Sequence, residues 1–275
     1  MATAPSGFPQ FDHPPVVETV IGVEFAPIDG WEVPHFGLFW NELRRTYPKT
    51  QMVPALPSMI EKYGKEHLYA GTEPSVEFIK GEPPVRAFFA DDASGKLLQI
   101  QRDRLLHNWR KTGRESAYPG YAETRVWFTT AWERFLSFLA SNELRRPDVT
   151  QCEVTYINHI ERGAGWDSLA DLPTVTPLLS GKGSTGFLGV PEVTVLTARY
   201  LMPEQRGRLH LALQPALRNA DQREILQLQL TARGMPQSST TEHVLEWIDL
   251  GHEWVVKSFA DATSTVMHNI WGRRV

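Results

Sequence analysis

The chain has 275 residues, of which 41% are hydrophobic and 22% are charged, and this balance predicts a folded protein with a core rather than a disordered one. Its formal net charge of -4 and its pI of about 6.2 argue against a strongly basic protein that binds nucleic acid nonspecifically. The single cysteine, Cys152, excludes an internal disulfide and a multi-cysteine zinc site, and we expect it to be a buried, unreactive thiol.

Residues 1–15 are predicted to form a flexible leader. They contain proline, serine and glycine but no basic region followed by an apolar stretch, so the pattern of a signal peptide is missing. No run in the chain approaches the ~18 apolar residues of a membrane-spanning helix. We therefore expect a cytoplasmic protein with no membrane partner.

The first half of the chain predicts the order β, α, three β, α. Residues 16–25 alternate like a half-buried strand, and Pro34 opens a helix over 35–47. Residues 48–75 are rich in proline and glycine and are predicted to be mostly loop, with short extended pieces such as 59–63. The remaining predictions are strands over 75–80, 85–90 and 96–110, a hairpin turn over 91–95 and an amphipathic helix over 122–141.

The second half predicts the same order with a weaker first helix. Its elements are a strand over 151–160, a short helix within 166–179, a glycine-rich loop over 181–189, strands over 192–202, 208–217 and 224–233, and a long last helix. A capping box of Ser239 and Glu242 begins this helix, Gly251 is expected to bend it, and it ends near residues 271–272.

Two similar phrases suggest an internal duplication. Leu-Gln-Ile-Gln stands at 98–101 and Leu-Gln-Leu-Gln at 226–229, while Glu18 matches Glu153 and Trp132 matches Trp254 at comparable offsets. We predict an α+β fold of two pseudo-repeats, 16–146 and 147–275, packed as one unit. Each repeat reads β-α-β-β-β-α, and helices cover one side of an antiparallel sheet in a saddle that resembles the TATA-binding-protein-like and helix-grip folds. A likeness of topology does not transfer function.

The segment after the first phrase is the strongest candidate for a binding site. If Leu98 and Ile100 face the core, strict alternation would bury Arg102 and Arg104, which is costly for unpaired charge. The strand must therefore bulge, overhang the core or line a polar pocket. Clustered Arg, Asn, His and Trp side chains suit the recognition of phosphate or nucleotide, whereas an overhanging strand would use its arginines in cross-strand ion pairs.

Three other patterns carry weaker predictions. Glu18 and Glu153 could form an acid/base or metal pair, although such residues more often cross-link a sheet. Asp249 and His252 share a helix face, and we favour a helix-to-sheet contact for His252 over metal ligation because the second His of a zinc-protease motif is missing. The glycine-rich run 181–186 fails the phosphate-loop spacing and is predicted to be a surface loop.

Several phrases together resemble a sporadically distributed, uncharacterised bacterial protein family of about this length. They are P-P-V-V-E-T-V-I-G-V-E-F at 14–25, Q-R-D-R at 101–104 with N-W-R at 108–110, Q-C-E-V-T-Y-I-N-H-I at 151–160, and M-H-N-I-W-G at 267–272. The resemblance covers nearly the whole chain. It implies a bacterial cytosolic protein and supplies no reaction, cofactor or catalytic residue; the patchy distribution of the family suggests an accessory role in a defence or mobile system.

The sequence thus predicts a non-enzymatic binding protein with a polar, concave sheet face, an unknown protein, small-molecule or nucleotide ligand, and neither metal nor cofactor. The alternatives are an enzyme acting on a phosphate-containing substrate, with Arg102 and Arg104 holding the anion and His159 or Glu153 as acid/base, and a nucleic-acid-binding saddle, which the acidic average disfavours. The predicted ligand-binding residues are Arg102, Arg104, Asn108, Trp109, Arg110, Tyr156, Asn158, His159, Gln227 and Gln229.

Overall fold

The computed structural model describes residues 7–64, 85–91, 95–113, 116–179 and 187–274. Within these residues the fold is α+β, as predicted, and its strands form one nine-stranded antiparallel sheet. The strands are β1 Val16–Phe25, β2 Lys49–Pro54, β3 Val85–Ala90, β4 Lys96–Gln101, β5 Arg104–Arg110, β6 Val149–Glu161, β7 Leu196–Leu201, β8 Arg208–Leu217 and β9 Glu224–Gly234. The helices are α1 Val33–Leu43, α2 Tyr121–Ser141, α3 Leu172–Val175, α4 Thr241–Ala262 and α5 Thr265–Ile270.

The sheet is joined at its centre by β1 and β6, the first strand of each half. The strand order is β2-β3-β4-β5-β1-β6-β9-β8-β7, so the strands of one half lie on each side of this central pair. In the central pair Val20 lies opposite Thr155 and Gly22 opposite Glu153. The two halves therefore share a single sheet.

The apolar face of the sheet packs against α1, α2 and α4. Phe25 of β1 contacts the rings of Trp132 and Phe135 on α2, and all three side chains are almost completely buried. Gly251 of α4 does not end or divide its helix. A Cβ atom there would lie 3.1 Å from Val154 of β6, so this glycine lets α4 approach the sheet closely.

The predicted strand over 96–110 is wrong, because this segment is a hairpin. Residues 102–103 form a two-residue turn between β4 and β5, and Gln101 pairs with Arg104 across it. Because of this turn, Arg102 and Arg104 do not share the buried side of Leu98 and Ile100, as strict alternation would have required. Arg102 lies at the turn with an exposed side chain, and Arg104 begins the return strand on the polar face.

Other boundaries also differ from the prediction. The strand β2 was missed within a segment predicted to be loop. The hydrogen-bonded part of β7 is shorter than 192–202 because β8 carries Pro215 beyond the last pair, and proline has no N–H to donate. Thr240, rather than Ser239, caps α4, and α5 is a separate helix capped by Ser264. The predicted strand 75–80 and loop residues 181–186 lie outside the described residues.

The two Leu-Gln-x-Gln phrases do not occupy equivalent strands. Residues 98–101 lie on β4, the third strand from the centre on its side, whereas residues 226–229 lie on β9, the second strand from the centre. The phrases therefore match in residue pattern but not in sheet position.

A segment that we name the strap, residues 55–63, crosses the polar face of the sheet at the end where β1 finishes. Two buried glutamine side chains hold its main chain. The Gln101 amide accepts a hydrogen bond from the Leu56 N–H at 3.0 Å and donates to the Leu56 carbonyl at 3.1 Å. Gln151 accepts from the Glu61 N–H at 2.8 Å and donates to the Met59 carbonyl. Each side-chain amide thus forms the two hydrogen bonds with the main chain of the strap that a neighbouring strand would form.

A buried ion pair anchors the middle of the strap. Arg104 of β5 pairs with Glu24 of β1, and both side chains are less than a tenth exposed. Arg104 also donates to the Pro57 carbonyl at 3.0 Å, and Ser58 donates to Glu24. Arg208 and His210 of β8 both contact Glu61. The polar face is therefore closed at this end.

We predict that Arg104→Ala lowers the free energy of unfolding by about 3–5 kcal/mol, because it leaves the Glu24 carboxylate buried without its partner. Arg102→Ala is the matched control, since its exposed side chain makes a 3.9 Å ion pair with Asp29 and one hydrogen bond to the Ile28 carbonyl, and we expect a change of at most about 1 kcal/mol. Urea unfolding followed by circular dichroism measures both. A loss for Arg104→Ala as small as that of Arg102→Ala would contradict a structural role for this arginine.

Candidate functional site

The structure divides the predicted ligand-binding residues between two ends of the sheet. Arg104 lies opposite Glu24 at the end of β1, while Asn158 lies opposite Val16 at its beginning. These positions are eight residue steps apart along β1, or ~26 Å. Arg102 and Arg104 are therefore not brought together with Asn158 and His159.

Arg110 and Asn108 belong to a row of side-chain hydrogen bonds that runs across four strands. Arg86 of β3 donates to Gln99 of β4 at 2.8 Å, and Gln99 donates to Asn108 of β5 at 2.7 Å. Asn108 and Arg110 both donate to Glu18 of β1, at 2.6 and 2.9 Å. Asn108 is 2% exposed, so its polar groups serve this row rather than a ligand.

A second row lies on the other half of the sheet. Gln229 donates to Thr231 at 3.2 Å, Thr231 and Thr155 share a 2.8 Å hydrogen bond, and Arg233 pairs with Glu153. Glu18 and Glu153 thus each bind an arginine of the neighbouring strand. They stand about four residues apart along the central pair, or ~13 Å, and do not form a carboxylate pair.

A large cleft lies where β1 begins, and it contains five of the predicted residues. Its volume is about 2660 Å³, and its walls come from the leader, the start of α2, the end of β6 and the second half of α4. The predicted residues that line it are Arg110, Tyr156, Asn158, His159 and Gln227. Trp109 lies below it in the core, 2% exposed, with its ring 5.3 Å from that of Tyr118.

One wall of the cleft holds a hydrogen-bonded cluster of two tyrosines and a histidine. The hydroxyls of Tyr118 and Tyr156 lie 2.7 Å apart, and the Tyr156 hydroxyl lies 3.1 Å from Nδ1 of His252. The His252 ring stacks on Tyr121 with centroids 3.6 Å apart. The contact between α4 and β6 confirms the predicted helix-to-sheet role of His252.

The tyrosine and histidine groups of this cluster are uncharged at neutral pH. Burial lowers the pKa of His252 to about 4, although the nearby Asp249 carboxylate opposes this shift. Burial raises the pKa of Tyr118 to about 12 and raises the pKa of Tyr156 well above its usual value. The wall therefore offers neutral donors and acceptors and aromatic faces.

An ion pair between α2 and α4 borders the cluster. Arg125 donates to both carboxylate oxygens of Asp249, at 2.7 and 2.9 Å, and Tyr121 donates to the same carboxylate at 2.6 Å. Tyr118, Tyr121 and Arg125 were missed by the sequence reasoning. The run of aromatic, proline and glycine residues at 117–121 was the available signal for them.

His159 faces the cleft from β6, and the hydrogen-bonding capacity of its ring is not fully used. Its Nδ1 atom is buried and has no hydrogen-bond partner among the described residues. Burial lowers the pKa of His159, and the Arg218 charge lowers it further. Asn158, by contrast, donates to the Leu228 carbonyl at 3.1 Å and is almost fully buried.

Cys152 lies on β6 away from the cleft and is completely buried, as predicted. Burial raises the pKa of its thiol far above the usual value. Among the described residues, no group of three or more His, Cys, Asp or Glu side chains has a metal-binding arrangement. In the same part of the chain, no helix has the length and apolar character needed to cross a membrane.

Comparisons with models of known protein families, with curated proteins and with solved structures find no match for this chain. We therefore infer function from the chemistry of the cleft and of the sheet face.

We predict that acid weakens the fold through His252. An unfolded histidine has a pKa near 6.5. Between about pH 6.5 and 4 this histidine is therefore protonated in the unfolded chain but stays unprotonated in the folded protein, so the free energy of unfolding falls as the pH is lowered. In His252→Gln, the loss of unfolding free energy between pH 7 and 4.5 should be smaller by about 1–2 kcal/mol. Urea unfolding across this pH range measures it.

The control is His13→Gln, which removes an exposed imidazole and should leave the pH dependence unchanged. Buried His107, whose pKa burial lowers to about 3, supplies acid sensitivity that remains in both variants. Equal pH dependence in wild type and His252→Gln would contradict the neutral, half-buried state of His252.

Proposed function

We propose that the protein is a non-enzymatic binding protein and that the cleft receives an extended segment of a partner protein. The observation that carries this proposal is the size of the cleft. Its volume of about 2660 Å³ exceeds the ~300–1,000 Å³ of typical small-molecule sites. A chain segment several residues long would fill such a space.

The lining of the cleft suits a peptide. Aromatic rings offer stacking surfaces. Neutral hydroxyl, amide and imidazole groups can form hydrogen bonds with a peptide main chain, whatever the charge of the peptide. The lining aromatic residues are Phe8, Phe11, Tyr118, Tyr121, Tyr156, Phe259 and Trp271.

The chain itself supplies an extended segment at one wall. The Asp12 and His13 N–H groups donate to the Gly272 and Trp271 carbonyls at 3.1 and 3.0 Å, and the Phe11 ring packs 5.3 Å from that of Phe259. This part of the predicted leader is thus bonded to the rest of the protein; its flexibility stays a prediction. The wall supports the proposal because extended main chain already fits there.

Charge pairing favours a protein ligand over nucleic acid. Four arginines of the polar face, Arg104, Arg110, Arg208 and Arg233, each contact a glutamate. At the cleft, Arg125 pairs with Asp249, and Arg218 contacts Glu161 and Asp221. Binding to a phosphate backbone needs guanidinium groups that are not already neutralised.

The same geometry gives little support to the enzyme alternative. That hypothesis requires Arg102 and Arg104 to hold an anion within reach of His159 or Glu153. His159 lies at the opposite end of the sheet, and the Glu153 carboxylate is paired with Arg233. Arg104 is committed to Glu24 and to the strap.

We also infer that the two halves arose by duplication and form a saddle. The strand order supports this inference because it reads β1-β5-β4-β3 from the centre on one side and β6-β9-β8-β7 on the other. Glu18 of β1 pairs with Arg110 of β5, and Glu153 of β6 pairs with Arg233 of β9, so the cross-strand ion pairs also correspond. The accessory role in a bacterial defence or mobile system stays a prediction.

Selection from a displayed library of random peptides tests the proposed function. We expect the wild-type protein to enrich a peptide family, and we expect synthetic members of it to bind in isothermal titration calorimetry. Ala122→Trp should weaken binding by at least about tenfold, because the indole would occupy the cleft beside Tyr121.

Ala140→Trp is the matched control, since it places the same side chain on an exposed position of the same helix outside the cleft. It should bind as the wild type does. Failure to enrich any peptide, or equal binding by both variants, would contradict the proposal.

A further inference from the structure

The two edges of the sheet differ in how well they are protected against another strand. The edge strand β2 carries Lys49 and ends at Pro54, two residue types that discourage strand addition. The other edge, β7, carries one charged side chain, that of Arg199. Among the described residues β7 pairs with β8 alone, and an edge strand with one free side is a template for further pairing.

The chain leading into β7 and the strand itself expose a row of large apolar side chains. Val193 is 65% exposed, Val195 is 55% exposed and Leu201 is 55% exposed. These residues lie at alternate positions, and exposed and half-buried residues alternate over 193–199, as expected of an extended segment whose one side also carries Thr197 and Arg199. Phe187, Leu188 and Val190, just before this segment, are exposed as well. So much exposed apolar surface indicates an interaction site.

We propose that β7 pairs with β7 of a second copy of this chain, across a two-fold axis through Thr197. The segment is self-complementary about that residue. In this antiparallel register Val193 faces Leu201 of the copy, and Leu196 faces Ala198. The prolines that bound the segment, Pro191 and Pro203, face each other at both ends, so no proline interrupts the new ladder.

The register also separates like charges. Each Arg199 faces Val195, which places the two guanidinium groups on positions four residues apart, ~13 Å along the strand. A register centred on Arg199 would oppose the two arginines directly and is disfavoured. A two-fold axis normal to the sheet keeps the helices of both copies on the same side, so the apolar rows of the copies adjoin.

Cysteine cross-linking tests this register. The only native cysteine, Cys152, is buried, so a single introduced thiol reports on its own position. Directly opposite residues on antiparallel strands have the Cα separation that a disulfide needs. Under mild oxidation, Thr197→Cys should give a disulfide-linked dimer about tenfold faster than Val195→Cys, which would face Arg199. Thr50→Cys, on the opposite edge, is the matched control and should not cross-link.

Light scattering after size exclusion tests the association itself. The wild type should have twice the 31.2 kDa chain mass. Val195→Lys should be monomeric and folded by circular dichroism, and Met52→Lys, the same change at an exposed position of β2, should stay dimeric. A monomeric wild type, a dimeric Val195→Lys or equal cross-linking of Thr197→Cys and Thr50→Cys would overturn the proposal.

Discussion

The need to pair every buried charge on one face of a wide sheet governs this structure. Glu18, Glu24 and Glu153 stand on the two central strands, where burial would be costly without compensation. Each carboxylate receives a guanidinium from the strand beside it, and the strap then closes over the buried Glu24–Arg104 pair. Arg104, Arg110 and Arg233 are therefore occupied within the fold, whereas Arg102 lies exposed at the turn between β4 and β5. Recognition is left to surfaces where polar groups face open space.

Alternation and helical periodicity were sufficient to predict the α+β class, the central strands and α2. They did not reveal the hairpin at residues 102–103, because Arg-Asp lacks the glycine or asparagine that usually marks a two-residue turn. The strand β2 was hidden by Pro48 just before it and by Pro54 at its end. The cleft was only half predictable: Tyr156 and His159 belong to one noticeable phrase, but Tyr121 and Asp249 meet from positions 128 residues apart. Such a meeting depends on how helices pack on the sheet, which no local pattern encodes.

The cleft and the β7 edge are separate surfaces with different chemistry. The cleft is lined by aromatic, polar and charged side chains at the beginning of β1, whereas β7 is an edge strand among the described residues and exposes apolar side chains at the far edge of the sheet. No residue of β7 lines the cleft. A dimer joined through β7 would therefore leave two clefts available, and their joint use would raise the apparent affinity for a partner with repeated segments.

The central claim is that the cleft recognises the ligand while the strapped end of the polar face is structural. Hydrogen exchange of the protein with and without a selected peptide tests it most directly. Bound peptide should slow exchange at residues 116–125 and 246–259 and leave residues 55–63 unchanged. Slower exchange at residues 55–63, with no change along the cleft, would contradict the account.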